Sequence, residues 1–249
     1  MNSSPVHTPL RQRARAATAT ELEAIPWLSI LDAEQRRNAI AQLQVADAEV
    51  DERVCRIGRT ANFWFGVIDG LLKMGNDDSS GPAITFTGLP PGVWFGEGTL
   101  LKREAYRYNV QALRRSVVAG LPLETFHDLL EHSIPFNRFM LNQLNERLSQ
   151  FIAAREIDRI SDPDLRVARN LAELSIPQLP LQAASTTGAG AGAGRLLRIT
   201  QRELGSLVGL SRQRVNQALN TLAARHLISI EYGGLRVLDL QGLRRFPQS

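Results

Sequence analysis

One cysteine, Cys55, stands in a chain of 249 residues. No disulfide can form within the chain, and a metal or iron–sulfur site built from several thiolates is excluded. Cys55 reads as a small buried apolar residue, and a cytoplasmic protein is the simple inference. Histidine is scarce too. His7, His127, His132 and His226 show no metal-ligand spacing, so no metal is expected, and the five-residue separation of His127 and His132 reads as a surface pair. No run approaches the roughly 18 consecutive apolar residues that span a bilayer. The N-terminus lacks the apolar core of a secretory signal, so no membrane partner is expected. Catalytic signatures are missing as well: Gly-x-Ser-x-Gly, a Walker-type loop and His-Glu-x-x-His are all absent. An enzyme is therefore not the expected class.

What is present concentrates at the C-terminal end. In ITQRELGSLVGLSRQRVNQALNTL, Thr200 is a good N-cap and Glu203 can complete a capping box. Leu204, Leu207 and Val208 form an apolar stripe, and Gly209 permits a tight turn. Ser211 can cap a second helix, whose buried face is Val215, Leu219 and Leu222. Arg212, Gln213, Arg214, Asn216 and Gln217 are then left near its exposed N-terminal end, the part of a helix-turn-helix that enters a major groove. A helical hairpin inside another fold shares the spacing but not this chemistry: arginine pairs with guanine edges, glutamine and asparagine with adenine. From Arg195 onward there are nine arginines against three acids, a net of +6 in a chain of +4, so the remainder sits at −2. Such a concentration of positive charge is the footprint of phosphate binding. Two short apolar segments follow, Leu227 to Ile230 and Leu235 to Leu238, with Gly233-Gly234 as a two-residue turn. Helix, helix, hairpin is a winged helix-turn-helix, and Arg236 beside the turn is placed to touch a phosphate.

The preceding chain has another rhythm. Residues 1–20 hold Pro, Ser, Thr and Arg11, Arg13 and Arg15, and read as a flexible basic arm. Glu21 to Leu43 is helical, with Asp32 as an internal cap. From Val45 to Ala119 short β segments alternate with turns, including one at Asn76 to Pro82, which suggests a small barrel or sandwich. A short helix is expected from Leu123, and Pro135 opens a long one. Leu141, Leu144, Leu148 and Phe151 recur on it at spacings of 3, 4 and 3, a coiled-coil seam of about two heptads. Either a dimer partner or the chain's own barrel can cover that seam. Asp162-Pro163 breaks the helix, another runs to Leu174, and a low-complexity Gly-Ala stretch ends at Gly194.

This layout resembles the CRP/FNR family of bacterial transcription regulators over about residues 22 to 240. Two motifs carry the resemblance: the 30-residue segment from Ile199 to Ile228, and PPGVWFGEGTLL at Pro90 to Leu101, similar to the family's phosphate-binding cassette. The resemblance implies an α+β fold of four parts: the arm (1–20), a cyclic-nucleotide-binding-like β-roll (21–134), a long dimerisation helix (135–161) and a winged helix-turn-helix (162–249). It implies a cytoplasmic homodimer on a double-stranded DNA operator, with RNA polymerase as a further partner. Arg212, Gln213 and Gln217 would read bases, while Thr200, Arg202, Ser211 and Arg214 would contact phosphates. Gln213 and Gln217 replace an acidic and a basic residue of the cyclic-AMP receptors, so the operator should differ.

The resemblance also implies an effector site at Gly96, Glu97, Arg107 and Tyr108, with cyclic AMP or cyclic di-GMP as the ligand class. Counted from Glu97, Arg107 takes the position of the phosphate-binding arginine and Tyr108 that of its hydroxyl follower. Counted back from the strand Val110 to Ala112, Tyr106 and Arg107 take those two positions. Phe151-Ile152 stands where relatives bond adenine with Thr-Ser, so those bonds are lost. A roll that works without effector, and a nucleotide-binding module with no DNA role, both remain open alternatives.

Overall fold

The computed structural model describes residues 10–76, 84–158, 161–175 and 196–247. Chain packing divides the protein into two units. One comprises Met1–Met74 and Leu89–Leu144, the other Gly75–Gly88 and Asn145–Ser249. The turn expected from Asn76 to Pro82 and the Gly-Ala stretch lie almost wholly outside the described residues.

The first unit begins with α1 (Ala19–Glu23) and, after a 3-10 turn at Pro26–Ile30, α2 (Ala33–Gln42). Asp32 caps α2 by accepting from the Glu34 and Gln35 amides. The strands follow in chain order, the end of β4 and all of β5 but Leu89 falling in the stretch assigned to the second unit: β1 (Gln44–Ala48), β2 (Arg53–Cys55), β3 (Phe63–Asp69), β4 (Leu72–Asn76), β5 (Ile84–Leu89), β6 (Trp94–Phe95), β7 (Asn109–Ala112) and β8 (Ser116–Pro122). They form two four-stranded sheets, β1-β8-β3-β6 and β2-β7-β4-β5. Helix α3 (Glu97–Leu101) sits between β6 and β7, and α4 (Leu123–His132) follows β8.

The two faces of β3 separate the core from the interior of the roll, because strand side chains alternate. Trp64 points into a buried aromatic cluster, with ring centroids 5.4 Å from Trp27, 4.5 Å from Trp94, 5.4 Å from Phe126 and 5.6 Å from Phe136. Such pairs each add about 0.5–1.5 kcal/mol beyond area burial. Gly66, on the same face, has no side chain because any Cβ there would overlap the Trp94 ring. Phe63 and Phe65 face the other way and stay half-buried.

Leu10 to Thr20 departs from the expected flexible arm. Leu10–Arg13 forms a 3-10 turn, Arg15 and Val45 exchange backbone hydrogen bonds, and Arg13 donates to the Asp47 carbonyl and to Glu52. Thr18 and Glu21 make a capping box on α1. Arg13 and Arg15 find carboxylates, and the segment covers an otherwise unpaired edge of β1. The rest of the arm, residues 1–9, lies outside the described residues.

Helix α5 (Ile134–Asp158) is anchored by Phe136, Phe139 and Met140, all buried. Beyond that point Leu141, Leu148, Phe151 and Ile152 are 61%, 59%, 45% and 59% exposed. Leu144 is half-buried. No helix among the described residues is long and apolar enough to cross a membrane.

In the second unit, Asp162 caps α6 (Pro163–Leu174), whose Leu165, Val167, Ala168 and Leu171 are buried. Then come β9 (Leu196–Leu197), α7 (Gln201–Val208), α8 (Arg212–Ala224), β10 (Ile228–Glu231), β11 (Gly234–Val237) and α9 (Leu240–Arg244). The wing turn differs by one residue from expectation. Glu231 pairs with Gly234, so the turn is Tyr232-Gly233, with Gly233 at φ +77°. Gly234 belongs to the strand, where a Cβ would collide with the Leu197 carbonyl of β9.

Candidate nucleic-acid interface and effector site

Helix α7 starts as its sequence dictates. The Thr200 hydroxyl accepts from the Glu203 amide (3.2 Å) and the Glu203 carboxylate accepts from the Thr200 amide (2.7 Å). Gly209 ends the helix at φ +67°, a conformation that costs glycine nothing. The Ser211 hydroxyl accepts from the Arg214 amide and caps α8. Burial of Val215, Ala218, Leu219 and Leu222 fixes the rotation of α8. Arg212, Gln213, Asn216 and Gln217 are consequently exposed.

Side-chain bonds order this face. Gln201 donates to Asn216 Oδ1 (2.8 Å) and its Oε1 accepts from Arg212 Nε (3.5 Å). Arg214 Nη1 donates to Gln217 Oε1 (2.9 Å), and its Nη2 lies 3.7 Å from Asp164. The structure therefore places Arg212, Gln213 and Gln217 on one exposed face. Arg214 lies to its side, drawn towards α6. Thr200, Arg202 and Ser211 are exposed around the face. Arg236 forms a two-point ion pair with Glu231, at 2.6 and 3.2 Å. That bond holds its guanidinium pKa above the ordinary value. Any phosphate contact by Arg236 would have to compete with Glu231.

Two features of the interface escaped sequence reasoning. Gln201 reads as an ordinary first-turn residue until the turn brings it beside α8. Tyr232 lies between the expected strand and the expected turn, and the wing places it at the tip, fully exposed.

The cassette is rebuilt around tyrosine. Gly96 caps the short α3 and Glu97 is buried. Tyr106, not Arg107, turns inward. It is buried, its hydroxyl donates to the Phe63 carbonyl at 3.2 Å, and its ring covers Gly96 closely enough that a Cβ there would meet it at 3.8 Å. The Arg107 side chain is 79% exposed and paired with Glu104 at 3.0 Å. Tyr108 is half-buried, its ring 5.8 Å from that of Tyr106. Gly96, Glu97 and Tyr106 thus come together and Arg107 does not join them.

Cys55 is buried beside Tyr106, and burial pushes its thiol up to about 12, against a hydrogen bond with Tyr106 that works the other way. His127 bonds the Leu100 carbonyl and His132 pairs with Asp128. No cluster of metal-ligating side chains occurs among the described residues.

Two family descriptions match the chain. The Crp-like helix-turn-helix domain covers residues 165–246. The cyclic nucleotide-binding domain covers residues 47–133. The transcriptional regulator SdrP of Thermus thermophilus is 29% identical over 74% of this chain and 84% of its own length. The cAMP-activated global transcriptional regulator CRP of Pasteurella multocida is 26% identical over 69% and 79%. Among solved structures, FixK2 from Bradyrhizobium japonicum superposes with a TM-score of 0.64, covering 83% of this chain and 98% of that one at 16% identity. A CooA variant from Carboxydothermus hydrogenoformans reaches 0.59 at 19% identity, covering 83% and 88%. With the roll, the long helix and the winged helix-turn-helix in place, these matches identify the chain as a member of the CRP/FNR family of transcription regulators.

Proposed function

We propose that the chain is a homodimeric transcription regulator that binds a two-fold DNA operator, one recognition helix α8 to each half-site. The carrying observation is the exposed face of Arg212, Gln213 and Gln217, held outward by the burial of Val215, Leu219 and Leu222. These side chains have the donors and acceptors that base edges require. Thr200, Arg202, Ser211 and Arg214 surround them as phosphate contacts. Arg236 is the weakest of the proposed contacts, given its bond to Glu231.

The exposed stripe of α5 supports the dimer. Leu141, Leu148 and Phe151 leave large apolar surface uncovered within one chain. A symmetric partner would cover it and set two α8 helices about 34 Å apart, one turn of DNA. RNA polymerase is the natural further partner of such a regulator. Control by a small molecule in the roll fits the fold, because a ligand that prefers one dimer geometry shifts the population towards it. The cassette geometry speaks against cyclic AMP held by Arg107, since that side chain faces solvent.

Operator selection from random duplex DNA, followed by gel shift, tests the reading. A palindromic consensus bound by two protomers is expected. Binding that stays undetectable at low salt, with and without cell extract, would overturn it.

A further inference from the structure

The roll contains a cavity of ≈ 1250 Å³ that the cassette does not line. Gly96, Glu97, Arg107 and Tyr108 are all absent from its wall. Its floor is apolar: Cys55, Phe63, Phe65, Tyr106 and Val118. Cys55, Tyr106 and Val118 are buried there, while the two phenylalanines keep part of their rings uncovered. Gly120 leaves the space open, since a Cβ would press on both rings at 3.2 Å. The Tyr106 hydroxyl is committed to the Phe63 carbonyl. A purine placed on this floor would leave its polar edges unpaired.

The mouth is charged. Arg56 and Arg59 line it, both exposed, on a turn closed by the Arg59 amide donating to the Arg56 carbonyl. Carboxylates also line it, but they are engaged. Glu52 is held by Arg13, the Asp51 side chain accepts from Gln111, and Glu49 lies 3.9 Å from Arg115. No ion pair to Arg56 or Arg59 occurs among the described residues. Guanidinium groups recognise planar anions through paired N–H donors, and cavities of this size are ample for drug-sized ligands.

We propose that this cavity binds an amphipathic carboxylate, its apolar body on the Phe63–Phe65–Val118 floor and its head group at Arg56 and Arg59. The proposal rests on the regulator reading for its biological sense and names the ligand class of the roll. Tyr106 touches both features: its ring lies over Gly96 of the cassette and it forms part of the cavity floor.

Calorimetric titration of the full chain with sodium decanoate, below its micelle concentration, tests the proposal. Saturable one-to-one binding is expected, weakened at least tenfold in the double variant Arg56→Ala, Arg59→Ala. Gly120→Leu, checked for folding by circular dichroism, should abolish it. Absence of decanoate binding, or equal affinity in the double variant, would overturn the proposal. So would cyclic AMP competing with decanoate for the same site. Gel shifts on the same preparations keep the two readings apart. Neither arginine lies in the DNA interface, so intact operator binding without decanoate binding defeats the cavity alone, and lost operator binding defeats the regulator reading.

Discussion

Replacing Leu148 by glutamate probes the proposed dimer through one exposed side chain. Leu148 is 59% exposed within a single chain, so less than half of its surface contributes to the stability of the protomer. Fully burying a leucine is worth about 1.5–3 kcal/mol, and the uncovered 59% therefore offers roughly 1–2 kcal/mol per protomer to a partner. Symmetry doubles this to about 2–4 kcal/mol, and two facing carboxylates add repulsion. At 1.4 kcal/mol per decade, the dimer dissociation constant should rise by about 30-fold to 1,000-fold. Sedimentation velocity over a concentration series measures it, and thermal melting at high protein concentration supplies the control. A large loss of dimer with protomer folding cooperativity intact is expected. A collapse of the protomer fold with no change in association would show that the seam packs on its own roll, and would refute the reasoning.

Gly66→Ala should cost at least about 1–3 kcal/mol of stability, because the methyl group overlaps the Trp94 ring and the surrounding rings leave it nowhere to go; calorimetric melting checks this. The bond from Arg15 holds the Glu21 carboxyl down to about 2. A carboxylate depressed in the folded state stabilises fully above its ordinary pKa near 4.5 and loses that contribution as pH falls towards 2. Urea unfolding at pH 6, 4 and 2.5 should show that loss in the wild type, and Glu21→Gln should flatten the difference. Cys55, buried and with its thiol at about 12, should resist alkylation at pH 8 until the chain unfolds; rapid labelling of native protein would contradict its placement.

The second unit was the more legible in the sequence, for a physical reason. Helix starts, the Gly209 turn and the buried face of α8 are set by residues within one or two turns of each other. The wing turn slipped by one residue because the deciding contact, Gly234 against the Leu197 carbonyl, comes from a strand more than thirty residues earlier. The roll was legible as alternating strands, but its pairing was not: β1 pairs with β8 across the length of the domain, from Gln44 to Gly120. The N-terminal segment misled for the same reason. Three arginines in a polar stretch read as a solvated arm, yet the partners of Arg13 and Arg15 lie at Val45, Asp47 and Glu52 as well as nearby at Glu21. At the cassette the sequence left two registers. Residue spacing does not show which side chain faces the cassette; the fold turns Tyr106 inward and Arg107 outward ahead of β7.

Base reading by α8 is tested by comparing operator selection by the wild type and by Arg212→Ala. The wild type should select a palindromic consensus. The variant should lose preference at one symmetry-related base pair per half-site, by about 1–3 kcal/mol, with the other positions unchanged. A uniform loss over all sequences would make Arg212 a phosphate contact, and no selected sequence from either protein would contradict the claim itself.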